Sequence, residues 1–197
     1  MAQLTPDNLN LLLARLQEFV ALDTKQFNQL VRLCTIREIP KNSYFCKAGD
    51  IHHKIGFVTK GFFKCSYPHP SGKEQVRSFH RVSNLVAPYA EIIKRVPSRC
   101  HIRAMQDSEV IELNFTEVLA LQKTDPVFLR LSLAVSQTFY IYREQHAYDL
   151  LMLSAKERYL RFVRDYPETV ELAHEKDIAG FLGINPASLS RIKKDLS

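Results

Sequence analysis

The sequence predicts an α+β protein built from three consecutive parts. These are an N-terminal antiparallel β-roll with flanking helices, one long helix, and a C-terminal pair of short helices. Two stretches with helical spacing of apolar residues open the chain, and short β-branched and aromatic runs cut by turn residues follow from Ile36 to about Leu113. Helical patterns return from residue 125 onwards. A chain of 197 residues is long enough to bury a real core in this arrangement.

The composition indicates a globular protein with a preference for anionic partners. Hydrophobic residues make up 46% of the chain and charged residues 24%, which excludes a disordered chain. The formal net charge is +6, but residues 154–197 carry eight Lys/Arg against seven Asp/Glu. Net charge alone therefore does not mark the C-terminal part as a nucleic-acid binder, and the local arrangement has to decide.

Several classes of protein are excluded by absent patterns. The first residues lack a basic segment followed by an apolar run, and nowhere do 18 apolar residues follow one another. We therefore expect a cytoplasmic protein without membrane partners. The four cysteines, Cys34, Cys46, Cys65 and Cys100, are scattered, so we expect reduced thiols and no metal or other cofactor. No catalytic motif is present, so an enzyme is not expected.

The first two parts can be predicted element by element. Leu9, Leu12, Leu16 and Val20 share one helical face, and a second helix follows through Leu30. The strands after them are separated by turns such as Gly49-Asp50 and Lys60-Gly61. The segment 105–113 is predicted to be the last strand pair, with Asp107-Ser108 as its turn.

A long helix is predicted over residues 125–147, with Pro126 at its first position. It carries two neighbouring apolar stripes, and a surface helix needs only one. Two stripes favour burial on two sides, against the β-roll and against a second copy of the chain. One central helix inside a monomeric core is the alternative. The stripe residues are Val127, Leu131, Ala134, Thr138, Ile141 and Tyr148 in the first, and Phe128, Val135, Phe139 and Tyr142 in the second.

A new helix begins directly after this long one. Ser154 and Glu157 have the spacing of a capping box, which marks a break between residues 149 and 154. The predicted units are therefore a sensor β-roll domain over 1–124, a dimerisation helix and hinge over 125–150, and a terminal helical domain over 151–197.

The end of the chain has the features of a helix-turn-helix. Ala179 is small where two helices must approach, and Gly183 suits the left-handed turn after the first helix. Asn185 is a good N-cap and Pro186 is favoured at the position after it. These demands predict a second helix over 186–196 that enters the DNA major groove, with an ordinary helical hairpin as the alternative.

The chain as a whole resembles the Crp/Fnr family of bacterial transcription regulators. Ala48, Gly49 and Asp50, followed by residues 57–61, are similar to the first hairpins of the family's cyclic-nucleotide-binding β-roll, and residues 178–196 match its DNA-binding end. The resemblance implies a homodimer that binds double-stranded DNA at a two-fold symmetric site, with RNA polymerase as a further partner. It also implies a winged-helix-like domain, whose wing hairpin is reduced because the segment 166–173 is short.

The resemblance also assigns the DNA-contacting residues. Arg191 matches the family's recurrent base-contacting arginine, which suits a bidentate bond to guanine. Pro186 and Ala187 could touch a thymine methyl, while the short hydroxyl groups and lysines suit phosphate or backbone. Lys176 is a weaker phosphate candidate. The DNA-binding set is Asn185, Pro186, Ala187, Ser188, Ser190, Arg191, Lys193 and Lys194.

The segment corresponding to the family's phosphate cassette, residues 84–103, departs from its pattern. No glycine lies between Gly72 and Gly180, and Ser98 takes the position of the phosphate-binding arginine. We therefore expect no cyclic-AMP binding. The basic residues predict a pocket for another small anion, with Arg95, Ser98, Arg99 and Arg103 as its residues; a solvated basic loop is the alternative.

Two functions of different classes remain open from the sequence. The first is a homodimeric, sequence-specific DNA-binding transcription regulator with a degenerate cyclic-nucleotide pocket. The second is a small-molecule-binding signalling module whose C-terminal helices mediate protein contacts. A gel shift with genomic fragments distinguishes them, because only the regulator gives a band that resists competitor DNA.

Overall fold

A computed structural model describes residues 4–70, 72 and 74–196 of the chain. Nine helices and eight strands lie within these residues. In chain order they are α1 (Pro6–Gln17), α2 (Thr24–Val31), β1 (Thr35–Ile39), β2 (Tyr44–Cys46), β3 (Lys54–Lys60), β4 (Phe63–Pro68), β5 (Glu74–His80), β6 (Leu85–Val86), α3 (Tyr89–Lys94), β7 (His101–Ala104), β8 (Ser108–Asn114), α4 (Phe115–Thr124), α5 (Pro126–Met152), α6 (Ala155–Asp165), α7 (Pro167–Leu172), α8 (Glu175–Phe181) and α9 (Pro186–Lys194).

The strands form the predicted antiparallel β-roll. One sheet has the order β1-β8-β3-β6 and the other the order β2-β7-β4-β5, and every pair is antiparallel. Side chains from both sheets fill the interior between them, including Phe45, Val58, Phe63 and Ile102. The predicted hairpin over 105–113 is wrong, because β7 ends at Ala104 and lies in a different sheet from β8. The turn between them carries the chain from one sheet to the other.

A second core lies where the N-terminal helices meet the start of α5. Leu12, Leu16 and Leu30 pack against Val127 and Phe128. Side-chain caps fix where α2 and α5 begin. Asp23 forms a capping box with Gln26 for α2, and the Asp125 carboxylate accepts a hydrogen bond from the Val127 amide at 2.9 Å.

Helix α5 is longer than predicted, and its burial is uneven. The helix runs to Met152 rather than ending near 147, because no proline or glycine interrupts it. Its buried residues, Val127, Phe128, Leu131 and Val135, all lie in the first ten positions. Further along, Ile141 of the predicted first stripe is 65% exposed. Within one chain, α5 therefore buries both stripes only at its N-terminal end.

The C-terminal helices form a third core together with β5. Ser154 and Glu157 make the predicted capping box at the start of α6. The segment 166–173, where the resemblance implied a reduced wing hairpin, forms α7 instead, since Pro167 fits the first turn of a helix. Val76 of β5 joins Phe162, Ile178 and Phe181 in one apolar cluster, so the terminal helices pack directly on the β-roll.

Within the described ranges, no helix has both the length and the apolar character needed to cross a membrane.

Candidate nucleic-acid interface and interior pocket

The turn between α8 and α9 has the predicted geometry. Gly183 adopts a φ of +68°, the left-handed conformation that favours glycine. The Ile184 amide then donates to the Ala179 carbonyl at 3.0 Å, which closes the end of α8. The Asn185 side chain accepts a hydrogen bond from the Ser188 amide at 2.8 Å, and Pro186 is the first residue of α9. The two helices are thus held at a turn set by local sequence.

One face of α9 anchors the helix and the other is open to solvent. Leu189 is buried against the third core, and Ala179 of α8 is fully buried beside it. Helix α9 ends at Lys194, two residues before the predicted end. Of the predicted DNA-binding residues, Ser188 is half-buried, and the others are exposed: Asn185, Pro186, Ala187, Ser190, Arg191, Lys193 and Lys194.

The charges of α9 are concentrated at its C-terminal end. Arg191, Lys193 and Lys194 lie in its last turn, where cations also interact favourably with the helix dipole. The Lys193 ammonium forms an ion pair with Glu175 at the start of α8, and this hydrogen bond raises the pKa of Lys193. A phosphate contact by Lys193 therefore requires it to exchange Glu175 for the phosphate. The exposed face of α9 is therefore suited to bind an anionic partner.

The four predicted effector residues are not brought together around one pocket. Ser98 is buried, and its hydroxyl donates to the Cys100 carbonyl at 2.8 Å. The Arg99 side chain is mostly exposed, and its Nε donates to the buried Glu91 carboxylate at 2.8 Å. Arg103 lies on the outer face of β7 and donates to the Asn42 side chain at 2.5 Å.

Arg95 ends α3 in a left-handed conformation, with a φ of +55°. It lines a surface depression beside His53 and Phe115, away from the roll interior. Only Ser98 of the predicted set therefore faces the interior of the roll.

The arginine that does reach the interior is Arg77, which sequence reasoning missed. In the β4–β5 ladder, Cys65 is opposite Ser78 and Ser66 is opposite Val76, so Arg77 is the extra residue of a β-bulge. Its Nη1 lies 3.6 Å from the Cys100 sulfur. Burial opposes its charge, but nearby polar groups raise the pKa of Arg77. The one sequence signal was a charged residue inside the otherwise strand-like run 76–79.

A cavity of about 540 Å³ lies between the β-roll and α5. Arg77 and Cys65 line it from the roll, and Tyr142 and Arg143 line it from α5. At its edge the Tyr89 hydroxyl forms a hydrogen bond with the Ser136 hydroxyl at 2.8 Å, which joins α3 to α5. The cavity is large enough for a small molecule. In the part of the chain that the structure describes, none of its charged side chains belongs to the segment 84–103; they are Arg15, Arg77, Arg81, Arg143 and Asp165.

Comparisons with known proteins agree with this architecture. Residues 36–125 match the family model of the cyclic nucleotide-binding domain. FixK2 from Bradyrhizobium japonicum is 19% identical, with 83% of this chain and 84% of that chain covered and a TM-score of 0.69. The c-di-GMP responsive global regulator CLP of Xanthomonas campestris is 17% identical, with 88% and 91% covered and a TM-score of 0.69.

A third similar structure is the catabolite activator protein of Thermus thermophilus. It is 16% identical, with 92% of this chain and 86% of that chain covered and a TM-score of 0.59. Among curated proteins, none matches the chain. The β-roll is thus similar to the cyclic nucleotide-binding domain. The chain as a whole has the fold of the Crp/Fnr transcription regulators, and the resemblance seen in the sequence is confirmed.

Proposed function

We propose that the protein is a homodimeric, sequence-specific DNA-binding transcription regulator of the Crp/Fnr type. The observation that carries the proposal is α9, whose buried Leu189 fixes the helix while its opposite face presents a row of polar and basic side chains. A helix anchored in this way and open on one side is what major-groove recognition requires. We expect the protein to act in the cytoplasm, with RNA polymerase as a further partner.

Arg191 and Lys194 are proposed to have different roles on α9. The Arg191 guanidinium is suited to two hydrogen bonds with one guanine edge, a contact of about 1–3 kcal/mol of discrimination. Lys194 is proposed to contact phosphate, which adds affinity without sequence preference. Arg191→Ala should relax the preferred base at one position per half-site. Lys194→Ala should weaken binding to all sequences and reduce the salt slope by about one.

The test is a binding selection from random duplexes followed by anisotropy titrations at several salt concentrations. Lys25→Ala is a matched control, because it removes one exposed positive charge from α2, far along the chain from α9. The assignment is wrong if Lys194→Ala changes the selected motif, or if Arg191→Ala leaves it intact. No sequence-selective binding by the wild type would favour the signalling module instead.

The dimer is proposed to form along the exposed part of α5. Leu133, Tyr140 and Ile141 are each more than half exposed and lie on one side of the helix, as their spacing of seven and eight residues requires. Such a stripe on a helix is unusual in a monomer. A parallel pair of these helices would place two copies of α9 about 34 Å apart, one turn of DNA.

Sedimentation velocity tests this interface. Leu133→Glu/Ile141→Glu should convert a micromolar dimer to monomer and weaken binding to a palindromic site far more than binding to a half-site. Leu172→Glu, on partly exposed α7, serves as the matched charge control and should remain dimeric. A wild-type protein that stays monomeric on DNA would refute the dimer while leaving the α9 proposal testable on half-sites.

The pocket is proposed to be degenerate for cyclic nucleotides. A cyclic phosphate needs a close backbone approach and a positive side chain, and the segment 84–103 offers neither at the expected place. Ser98 occupies the arginine position and uses its hydroxyl within the chain, while Arg99 is engaged by Glu91. An anion that enters the cavity beside α5 would meet Arg77 and Arg143 instead.

A further inference from the structure

Three of the four cysteines lie together in the interior of the β-roll. Cys46, Cys65 and Cys100 belong to the same buried cluster between the two sheets. Cys34 is separate and packs with the helices of the second core. DNA recognition uses none of them, so their grouping calls for another explanation.

Cys65 lies in β4, and Cys100 directly precedes β7, the neighbour of β4 in the sheet. Ser66 of β4 is opposite His101 of β7, which places Cys65 and Cys100 one residue to either side of this pair on the inner face. The Cys100 sulfur also has polar neighbours. Around the same sulfur, the Ser98 hydroxyl lies at 3.7 Å and the Arg77 Nη1 at 3.6 Å.

This surrounding favours a thiolate at Cys100. The hydrogen bond from Cys65 and the charge of Arg77 outweigh burial and lower the pKa of Cys100 to about 6. The same hydrogen bond, together with burial, raises the pKa of Cys65, which therefore keeps its proton. Cys100 is therefore the more acidic thiol of the pair.

The other two cysteines lack this arrangement. Burial raises the pKa of Cys46 to about 11 and that of Cys34 to about 12. Within residues 4–70, 72 and 74–196, no group of three or more His, Cys, Asp or Glu side chains is placed to hold a metal ion. Cys100 therefore differs from Cys34 and Cys46 in the acidity of its thiol.

A cavity reaches one member of the pair. Cys65 and Arg77 both line the cavity of about 540 Å³ between the β-roll and α5. Arg77 also contacts the Cys100 sulfur, so this sulfur lies just behind the cavity wall. The Arg77 Nε is buried without a hydrogen-bond partner among the described residues. A peroxide oxygen entering here would meet an available donor.

We propose that Cys65 and Cys100 are a redox-active pair that a hydroperoxide converts to a disulfide. The Cys100 thiolate attacks one oxygen of hydrogen peroxide, the O–O bond breaks, and with one proton the products are a sulfenic acid and water. The Cys65 sulfur then attacks the sulfenic sulfur, the S–O bond breaks, and a second water leaves with the Cys65 proton. Two electrons pass from the pair to the peroxide, and the sulfur facing Arg77 becomes neutral.

The test is disulfide mapping of the full-length protein. Reduced protein is treated with stoichiometric hydrogen peroxide at pH 7, quenched by alkylation in denaturant, and digested without reductant for mass spectrometry. We expect one Cys65–Cys100 cross-link, with Cys34 and Cys46 alkylated. Oxidation of Cys34 ahead of the pair would overturn the proposal. The proposal would also be overturned if Cys65 and Cys100 stay reduced at a peroxide concentration that oxidises free glutathione.

Variants separate reactivity from folding. Cys46→Ser is the matched control in the same core and should form the cross-link normally. Cys65→Ser should stop at a sulfenic acid on Cys100, trapped by dimedone, whereas Cys100→Ser should form no such adduct. Equal dimedone labelling in both variants would contradict the assignment.

Arg77→Gln tests the role of the arginine. A full return of Cys100 to the ordinary thiol pKa of about 8.5 would lower the thiolate fraction at pH 7 roughly 30-fold. Because Cys65 and Ser98 remain, we expect peroxide oxidation to slow by about five- to tenfold. The difference should narrow above pH 9, where both proteins carry the thiolate. An unchanged rate at pH 7 would show that Arg77 does not activate Cys100.

Discussion

Replacement of Lys64 by methionine removes the cation from a group of three charges in which Lys64 and Asp177 are buried. The Lys64 ammonium lies 2.9 Å from the Asp177 carboxylate of α8 and 2.7 Å from the Glu74 carboxylate of β5. The Lys64 and Asp177 side chains are only 5% and 7% exposed. This group joins the β-roll to the first helix of the helix-turn-helix.

The cost of the substitution follows from what it leaves behind. In Lys64→Met the Asp177 carboxylate stays buried without its cation, and its Oδ2 has no hydrogen-bond partner among the described residues even in the wild type. Breaking a buried pair in this way costs about 3–5 kcal/mol. For a chain of about 200 residues, 1 kcal/mol corresponds to roughly 2–4 °C. The melting temperature should therefore fall by roughly 6–20 °C.

Removal of the other partner should cost less. In Asp177→Asn the amide oxygen can still accept a hydrogen bond from Lys64, and Glu74 still balances its charge at 2.7 Å. We expect a loss of about 1–2 kcal/mol. The double variant Lys64→Met/Asp177→Leu replaces the pair by apolar groups and should recover most of the stability lost in Lys64→Met.

Urea unfolding followed by circular dichroism, at one fixed protein concentration, measures these free energies of unfolding. With the single variant Asp177→Leu added, Lys64→Met and the double variant complete a double-mutant cycle. The reasoning is refuted if Lys64→Met costs less than 1 kcal/mol, or if Asp177→Asn is the more damaging single change. Either result would mean that water reaches Asp177 and that the contact between β4 and α8 opens in solution.

Three further predictions concern pH, backbone and ligand. Burial and the charge of Arg77 lower the pKa of His80 to about 4, so the folded state binds fewer protons than the unfolded state between pH 4 and 6.5. The free energy of unfolding should fall by at most about 3 kcal/mol as the pH falls through this window, and a pH series of urea titrations should be flatter for His80→Gln. Gly61 has a φ of +89°, and a Cβ there would lie 2.7 Å from the Ser108 Cα. Gly61→Ala should therefore lower the free energy of unfolding by about 3 kcal/mol, as measured by urea unfolding. Gly72 also has a positive φ but has open space around it, so Gly72→Ala should cost only about 1 kcal/mol. Cyclic AMP and cyclic GMP should leave the melting temperature unchanged at millimolar concentration; a ligand at 100 times its dissociation constant adds about 2.7 kcal/mol, so a clear shift would refute the degenerate pocket.

The parts of the fold that were predicted correctly depend on local demands. Gly183, Asn185 and Pro186 each meet a steric or hydrogen-bonding need within three or four residues of chain, and the structure has each in its expected place. The capping box at Ser154 is of the same kind. Local rules of this type need no knowledge of what packs on the helix.

Errors arose where a distant partner decides the outcome. Residues 105–113 have the turn signal of a hairpin, yet β7 pairs with β2 and β4 while β8 pairs with β1 and β3. The turn signal is the same whether the next strand returns to its neighbour or crosses to the facing sheet. Similarly, Ile141 has the spacing of a buried stripe, but no other part of the described chain covers it.

The interior of the β-roll shows why residue roles cannot be transferred from a similar family by aligned position alone. Ser98 takes the place of a phosphate-binding arginine, and sequence reasoning looked for the missing charge nearby, at Arg95, Arg99 and Arg103. The bulge in β5 supplies it instead, because one extra residue re-aims the side chain of Arg77 into the roll. A bulge depends on how two strands pair, so the run 76–79 alone could not reveal it. Inside this β-roll, the polar atoms of Ser98 and Arg77 contact the Cys100 sulfur. That is the physical reason to expect thiol chemistry inside this β-roll.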